Sequence, residues 1–151
     1  MRPTLYEYAG GAPAFVALAT AHHARCLADP ELNHPFSHPD GNPEHVERLA
    51  AYWAEVLGGP DAFSRACSDQ AAVLRMHAGN GDMSDLGERF ARCFSAAMDD
   101  AHLPGDPAFR EAMNAYMRWA VDTVALAHPD GAEGIAPSAA MPRWGWDGPL
   151  R

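Results

Sequence analysis

The chain has 151 residues, of which 48% are hydrophobic and 21% charged, and this balance is typical of a single globular domain. Its formal net charge is -9, and every basic side chain other than histidine is an arginine. Because phosphate backbones and anionic lipid surfaces repel an acidic chain, these numbers argue against nucleic acid and membrane surfaces as partners.

The first third of the chain predicts two helices. Thr4–Glu7 has the pattern of a capping box, so a short helix is expected to begin there and to end at Gly10–Gly11. Pro13 suits the first turn of a second helix, which we expect to run to about Ala28, before Asp29–Pro30.

The middle of the chain predicts an irregular connection and then a third helix. Prolines, glycine and asparagine make residues 32–43 loop-like. Asn42–Pro43 reads as a helix start, and apolar residues then recur at helical spacing until Gly58–Pro60 ends the helix.

The second half predicts three further helices. Ala71–His77 is a candidate short helix, Ser84–Asp85 caps a longer one, and Asp106–Pro107 starts a last helix that reaches Val124. We predict an all-α fold, with a helical domain over residues 1–127. The remaining residues, 128–151, form an extension rich in proline, glycine and tryptophan, and Trp144 and Trp146 could cover either this chain or a second subunit.

His77 is the first candidate for chemistry. It lies where a short helix gives way to a glycine-rich segment, so one ring nitrogen could face a cavity while the other contacts a backbone carbonyl. This is the arrangement of a histidine that binds haem iron. A capping or surface histidine is the alternative interpretation.

His23 and His45 form the second candidate, because they lie on two helices that flank the irregular loop carrying Phe36. Such a pair could donate hydrogen bonds to a ligand or bind a metal; two half-exposed histidines would show the same pattern. The pairs His22–His23 and His34/His38 also raise the possibility of zinc. Structural zinc needs closely spaced cysteine and histidine pairs, however, and Cys67 and Cys93 lie far from these histidines.

Aromatic residues along the predicted helices and the irregular loop could form the core or line a site for a flat apolar cofactor. No nucleotide-binding loop, nucleophile elbow or zinc-protease motif occurs in the sequence. The aromatic residues in question are Phe36, Tyr52, Trp53, Phe90 and Phe94.

The ordered pieces of this sequence resemble the truncated haemoglobins, and within them the second group, over roughly residues 4–126. Each piece is short, but the order and spacing are specific. The pieces are Leu5-Tyr6-Glu7 with Gly10-Gly11, Asp29-Pro30-Glu31-Leu32 leading to Phe36, Trp53 with Gly58-Gly59-Pro60, Leu74-Arg75-Met76-His77, and Glu88-Arg89-Phe90-Ala91-Arg92-Cys93.

The resemblance implies a two-over-two helical sandwich that binds haem b, with His77 as the proximal iron ligand. It also implies roles for positions that match the family. Phe36, Tyr52, Phe90 and Phe94 would contact the haem, Arg48 and Arg75 would pair with its propionates, and His23, His45, Leu49 and Phe90 would line the distal side.

Two positions depart from the family pattern. His23 stands where the family usually has a ligand-binding tyrosine, and Phe90 stands where the second group usually has tryptophan. The segment after His77 also lacks the usual Pro-Phe pattern. These departures make haem binding a firmer expectation than any particular ligand chemistry.

The functional expectation is a haem protein that binds dioxygen or nitric oxide, with an electron donor that the sequence does not identify. Nitric oxide dioxygenase-like and peroxidase-like oxidoreductase activities both remain open, as does iron binding by His23 or His45 without a ligand. The alternatives are a haem-free globin-like binding or regulatory domain and a non-haem metal protein.

Cysteine content and the N-terminal residues indicate the cellular compartment. Three scattered cysteines give no disulfide framework, and no apolar run approaches the roughly 20 residues of a membrane span. The first residues lack the apolar segment of a signal peptide. We therefore expect a reduced, cytoplasmic protein, and a homodimer is left open.

Overall fold

A computed structural model describes residues 2–33 and 44–150 of the chain. Within these ranges it contains seven α-helices, a π-helical turn that continues the last of them, and one two-stranded β-pair. The helices are α1 Leu5–Ala9, α2 Ala12–Ala28, α3 His45–Val56, α4 Ala62–Ala66, α5 Gln70–His77, α6 Ser84–Asp100 and α7 Pro107–Ala120; the π turn is Val121–Ala125, and the strands are β1 Trp144–Gly145 and β2 Gly148–Pro149.

Local capping signals set most of these boundaries. The Thr4 side chain and the Glu7 side chain each accept a backbone N–H of the other residue, which is the predicted capping box. Asp106 caps α7 by accepting the N–H of Phe109. Ser84 was expected to cap α6 but is its first residue; the carboxylate of Asp82 accepts the Ser84 N–H instead. The predicted start at Asn42–Pro43 lies outside the described residues.

The long helices pack as two layers. α2 contacts α3 and α6, and α6 contacts α7, so one helix pair lies across the other. A single hydrophobic core between the layers includes Phe15, Trp53, Phe94, Phe109 and Met113. The predicted all-α, two-over-two arrangement is confirmed. No helix among the described residues has both the length and the apolar character needed to cross a membrane.

Gly87 allows α6 to approach the π turn closely. Gly87 is buried in α6, and a Cβ atom added there would lie 2.6 Å from Cγ1 of Val121. Valine is branched at Cβ, so this methyl group cannot move aside by rotating a long flexible chain. The close approach therefore requires glycine at this position, despite the helix propensity that glycine costs.

The C-terminal extension packs on the same chain. The Trp144 indole is buried, donates its N–H to the Ala112 carbonyl at 3.2 Å, and lies 5.9 Å from the Tyr116 ring. Trp146 donates to the Pro3 carbonyl at 2.8 Å. The two tryptophans therefore connect the end of the chain to the last long helix and to the N-terminus.

A histidine, His22, lies within the hydrophobic core. It is fully buried on α2, and its ring centroid lies 4.3 Å from that of Phe90 and 5.4 Å from that of Trp53. Burial, with smaller contributions from the nearby His45 and His23, lowers the pKa of His22 to about 4, although a hydrogen bond with the Phe90 carbonyl acts in the opposite direction. The imidazole is therefore neutral at pH 7.

We expect Gly87→Ala to destabilise the protein by about 1 kcal/mol. Alanine gains roughly 1 kcal/mol of helix propensity, but the displaced Val121 side chain costs roughly 2 kcal/mol in the packed interior. Urea unfolding measures the difference. The double variant Gly87→Ala/Val121→Ala removes the clash and should be more stable than Val121→Ala alone. If Gly87→Ala lowered the free energy of unfolding equally with Val121 present and with Val121→Ala, the explanation would be contradicted.

Acidification should destabilise the fold through His22. Its pKa is about 4 when folded and 6.5 when unfolded, so between these values the unfolded chain binds a proton that the folded chain does not. Stability should fall as the pH drops from 6.5, by roughly 3 kcal/mol at pH 4. We expect His22→Leu to lose this part of the pH dependence in urea titrations, whereas His102→Asn at an exposed site should keep it.

Candidate functional site

His77 ends α5 with one ring nitrogen already occupied. Its Nδ1 lies 2.8 Å from the carbonyl oxygen of Val73, one turn earlier in the helix. Since a carbonyl can only accept, Nδ1 carries the proton and Nε2 keeps its lone pair. His77 is half-buried. The ring is thus oriented by its own helix and has the tautomer that a metal-binding imidazole requires.

Contacts at both ends hold the short helix α5. At its start, the Asp69 carboxylate accepts the Ala72 N–H at 2.9 Å, and the Tyr52 hydroxyl donates to Gln70 Oε1 at 2.8 Å. Just after its end, the N–H groups of Gly79 and Gly81 donate to the carbonyls of His128 and Pro129, each at 2.9 Å. The position of His77 therefore depends on α3 at one end and on the C-terminal extension at the other.

His23 and His45 lie next to each other, as the sequence suggested. His23 is on α2 and His45 is the first residue of α3, and their ring centroids are 5.4 Å apart. Burial and the neighbouring His23 lower the pKa of His45, so its imidazole is neutral at pH 7. A neutral ring offers one N–H donor and one lone pair, which suits either a hydrogen bond to a ligand or metal binding.

Phe90 and Phe94 lie on α6 and contact the ring of His22, the residue before His23. Phe90 is half-buried against the His22 ring, whereas Phe94 is fully buried, with its ring centroid 5.0 Å from that of Trp53. His22 links these side chains to α2. Its role in the wall of the site was missed in the sequence, although it continues the buried helical spacing of Phe15, Leu18, Ala19 and Cys26.

The remaining candidate residues occupy different environments. The Tyr52 side chain is buried edge-on to Phe63, and burial raises the pKa of its hydroxyl to about 12. Leu49 is half-buried against the core. Arg48 donates to the Cys67 carbonyl at 3.2 Å, and Arg75 is exposed on α5. Roles toward a haem propionate for these two arginines stay predictions.

Some candidates cannot be placed. Phe36, His34 and His38 lie outside the described residues. In the parts of the chain that are described, no three His, Cys, Asp or Glu side chains are grouped so that they could hold a metal ion. The histidine at position 22, half of the suspected zinc pair, instead lies in the aromatic core.

Tyr116 is a second buried polar group that the sequence did not single out. The side chain is fully buried on α7, and within residues 2–33 and 44–150 its hydroxyl has no hydrogen-bond partner. Burial and the neighbouring Tyr52 raise the pKa of this hydroxyl well above 10. It was hidden because its spacing from Met113 and Met117 is that of an ordinary core residue.

The family model for bacterial-like globins matches residues 4–125 of the chain. No curated protein matches the chain. Among solved structures, the chain is similar to the haemoglobin of the thermophilic phototrophic bacterium Chloroflexus aurantiacus, with 25% identity, a TM-score of 0.68, and coverage of 82% of this chain and 98% of that chain.

Two further structures show the same relationship. A thermostable haemoglobin from the actinobacterium Thermobifida fusca is 25% identical with a TM-score of 0.66, covering 82% of this chain and 97% of that one. The group II truncated haemoglobin of Bacillus anthracis is 20% identical with a TM-score of 0.66, covering 82% and 92%. Since the family model spans most of its length and these structures share its helical layers, the chain belongs to the bacterial-like globins and has the truncated haemoglobin fold.

Proposed function

We propose that the protein binds haem through Nε2 of His77 and uses the haem iron to bind dioxygen or nitric oxide. The observation that carries this proposal is the hydrogen bond from His77 Nδ1 to the Val73 carbonyl at 2.8 Å. It fixes the ring orientation and leaves an imidazole lone pair on the other nitrogen. The family membership of the chain supports the same cofactor.

Haem iron held by one imidazole supplies an open coordination position for a small diatomic molecule. The chain contributes the surroundings. Phe90 and Leu49 offer apolar surface, which disfavours water, while Arg48 and Arg75 are the cations proposed to pair with the propionates. Tyr52 is anchored on Gln70, so it fixes the start of the helix that carries His77.

His23 and His45 are the proposed donors to the diatomic ligand. The His45 imidazole is neutral at pH 7 and has a single N–H, and the His23 ring centroid lies 5.4 Å from it, so a small ligand near one ring is within reach of the other. A hydrogen bond to a ligand that gains negative charge is stronger than one to a neutral ligand. The pair therefore favours dioxygen over an uncharged apolar gas.

We expect His77→Gly to lose haem on gel filtration, because the variant lacks the iron ligand. Added imidazole should restore haem retention and the ferrous absorption spectrum, since it replaces the missing ring. His102→Asn is the matched control: it removes an exposed histidine, and asparagine tolerates the backbone φ of 58° at that position. Unchanged haem content and an unchanged ferrous spectrum in His77→Gly would overturn the assignment.

Loss of the distal donor should speed dioxygen release. We expect His45→Leu or His23→Leu to raise the dissociation rate roughly 10- to 100-fold, the effect of losing one hydrogen bond to a charged partner. The matched variants His45→Gln and His23→Gln keep an N–H and should recover most of this loss. Stopped-flow measurement on the reduced protein gives the rates; equal rates in all four variants would contradict distal hydrogen bonding.

Spectra of the wild-type protein and of the His45 and His23 variants distinguish the remaining alternatives, which are iron binding by a distal histidine and a haem-free domain. A six-coordinate ferrous spectrum that becomes five-coordinate in His45→Leu or His23→Leu would show that this histidine itself binds the iron. A colourless purified protein that takes up no added haemin would favour a haem-free binding or regulatory domain. Nitric oxide dioxygenase-like and peroxidase-like turnover are tested only after haem binding is established.

A further inference from the structure

Two cysteines, Cys26 and Cys93, lie on α2 and α6, the two helices that meet at the His22 and Phe90 rings. Cys26 is fully buried on α2, one helical turn after His22, and its sulfur is 3.7 Å from the His22 ring nitrogens. Cys93 is half-buried on α6. Cys93 lines one cleft with Arg25 and Asp29, which flank Cys26 in the sequence, so the two cysteines face each other across the interface between the two helices, and each thiol shifts the pKa of the other. Both are free thiols.

Cys93 also faces solvent, through an open cleft between α2 and α6. The guanidinium groups of Arg25, Arg89 and Arg92 line this cleft, together with the carboxylate of Asp29. Arg25 pairs with Asp100 at 2.6 Å and Arg89 with Asp29 at 3.2 Å, whereas the Arg92 side chain is exposed. A small molecule that carries carboxylates can therefore approach the Cys93 sulfur beside cationic groups.

We propose that Cys26 and Cys93 form a reversible redox dithiol, which a small carboxylate-bearing disulfide oxidises to a disulfide bond. The Cys93 sulfur attacks the small disulfide, forms a mixed disulfide and releases one thiol. The Cys26 sulfur then attacks the Cys93 sulfur and releases the second thiol. Two protein thiols are oxidised, one small disulfide is reduced to two thiols, and the two protons pass to these products.

The position of the pair gives the reaction a structural consequence. The bond would join α2 to α6 next to the helix turns that carry His22 and Phe90, the two rings in closest contact between these helices. It would close a long loop that includes the segment between α2 and α3. Cross-links that close long loops restrict the unfolded chain most, so oxidation should stabilise the fold.

The protonation of the two thiols sets the expected rate. Burial raises the pKa of Cys26 strongly, and Cys93 raises it further. Burial and Asp29 raise the pKa of Cys93, while Cys26, Arg25 and Arg92 act in the opposite direction. The neighbouring His22 is neutral at pH 7. Both thiols are thus protonated at neutral pH, and since the thiolate is the attacking form, oxidation should be slow at pH 7 and faster at pH 9.

The test uses the full-length chain with Cys67→Ser, which removes the third cysteine and leaves only the proposed pair. Oxidised glutathione is the probe. We expect loss of both free thiols, a Cys26–Cys93 cross-linked peptide by mass spectrometry, and no retained glutathione. The thermal midpoint should rise by roughly 5 to 15 °C, and dithiothreitol should reverse the change.

Two serine variants in the same background identify the steps. Cys26→Ser should trap glutathione on Cys93, because the second thiol is missing. Cys93→Ser should leave the buried Cys26 unmodified. A glutathione adduct that persists on Cys93 when both cysteines are present, a disulfide between two chains, or two thiols that stay reduced at pH 9 would each overturn the proposal.

Discussion

The packing of α2 against α3 and α6 around one neutral imidazole fixes the rest of the site. His22 is enclosed by Trp53, Phe90 and Phe94, and a charged ring there would be without water. This packing sets the rotation of α2 about its axis. The next residue, His23, then points toward α3 and meets His45, and Cys26, one turn later, meets α6. A single buried residue thus aligns the His23–His45 pair and Cys26 with the helices that face them.

The short helix α5, which carries His77, depends on its surroundings. Eight residues are too few for a stable isolated helix, so tertiary contacts must hold it. The Asp69 cap, the Tyr52–Gln70 hydrogen bond and the backbone bonds from the C-terminal extension supply them. In the segment after His77, the backbone N–H groups of Gly79 and Gly81 donate to carbonyls of the extension.

Features that depend on neighbouring residues along the chain could be predicted from the sequence, whereas those that depend on tertiary packing could not. The Thr4 capping box, the stop at Gly58–Pro60 and the helix start at Asp106 are local, and the structure contains all three. The meeting of His23 and His45 followed from their places on two adjacent helices. Burial of His22 and the placement of Cys26 opposite Cys93 arise only when α2 packs on α6, because spacing along one helix does not specify what the other helix presents.

The neutral imidazole of His45, beside the His23 ring, connects the two proposed modes of distal chemistry, which are hydrogen bonding to a ligand and binding of the iron. The lowered pKa of His45 means that its ring carries one proton at pH 7, so each of its nitrogens is either a donor or a lone pair. A ring that turns its N–H toward the open position would stabilise a ligand, and one that turns its lone pair there would compete with it for the iron. The tautomer of His45 therefore decides between the two outcomes. The His23 ring centroid lies only 5.4 Å from that of His45, so substitutions at the two positions are expected to act as one unit rather than additively.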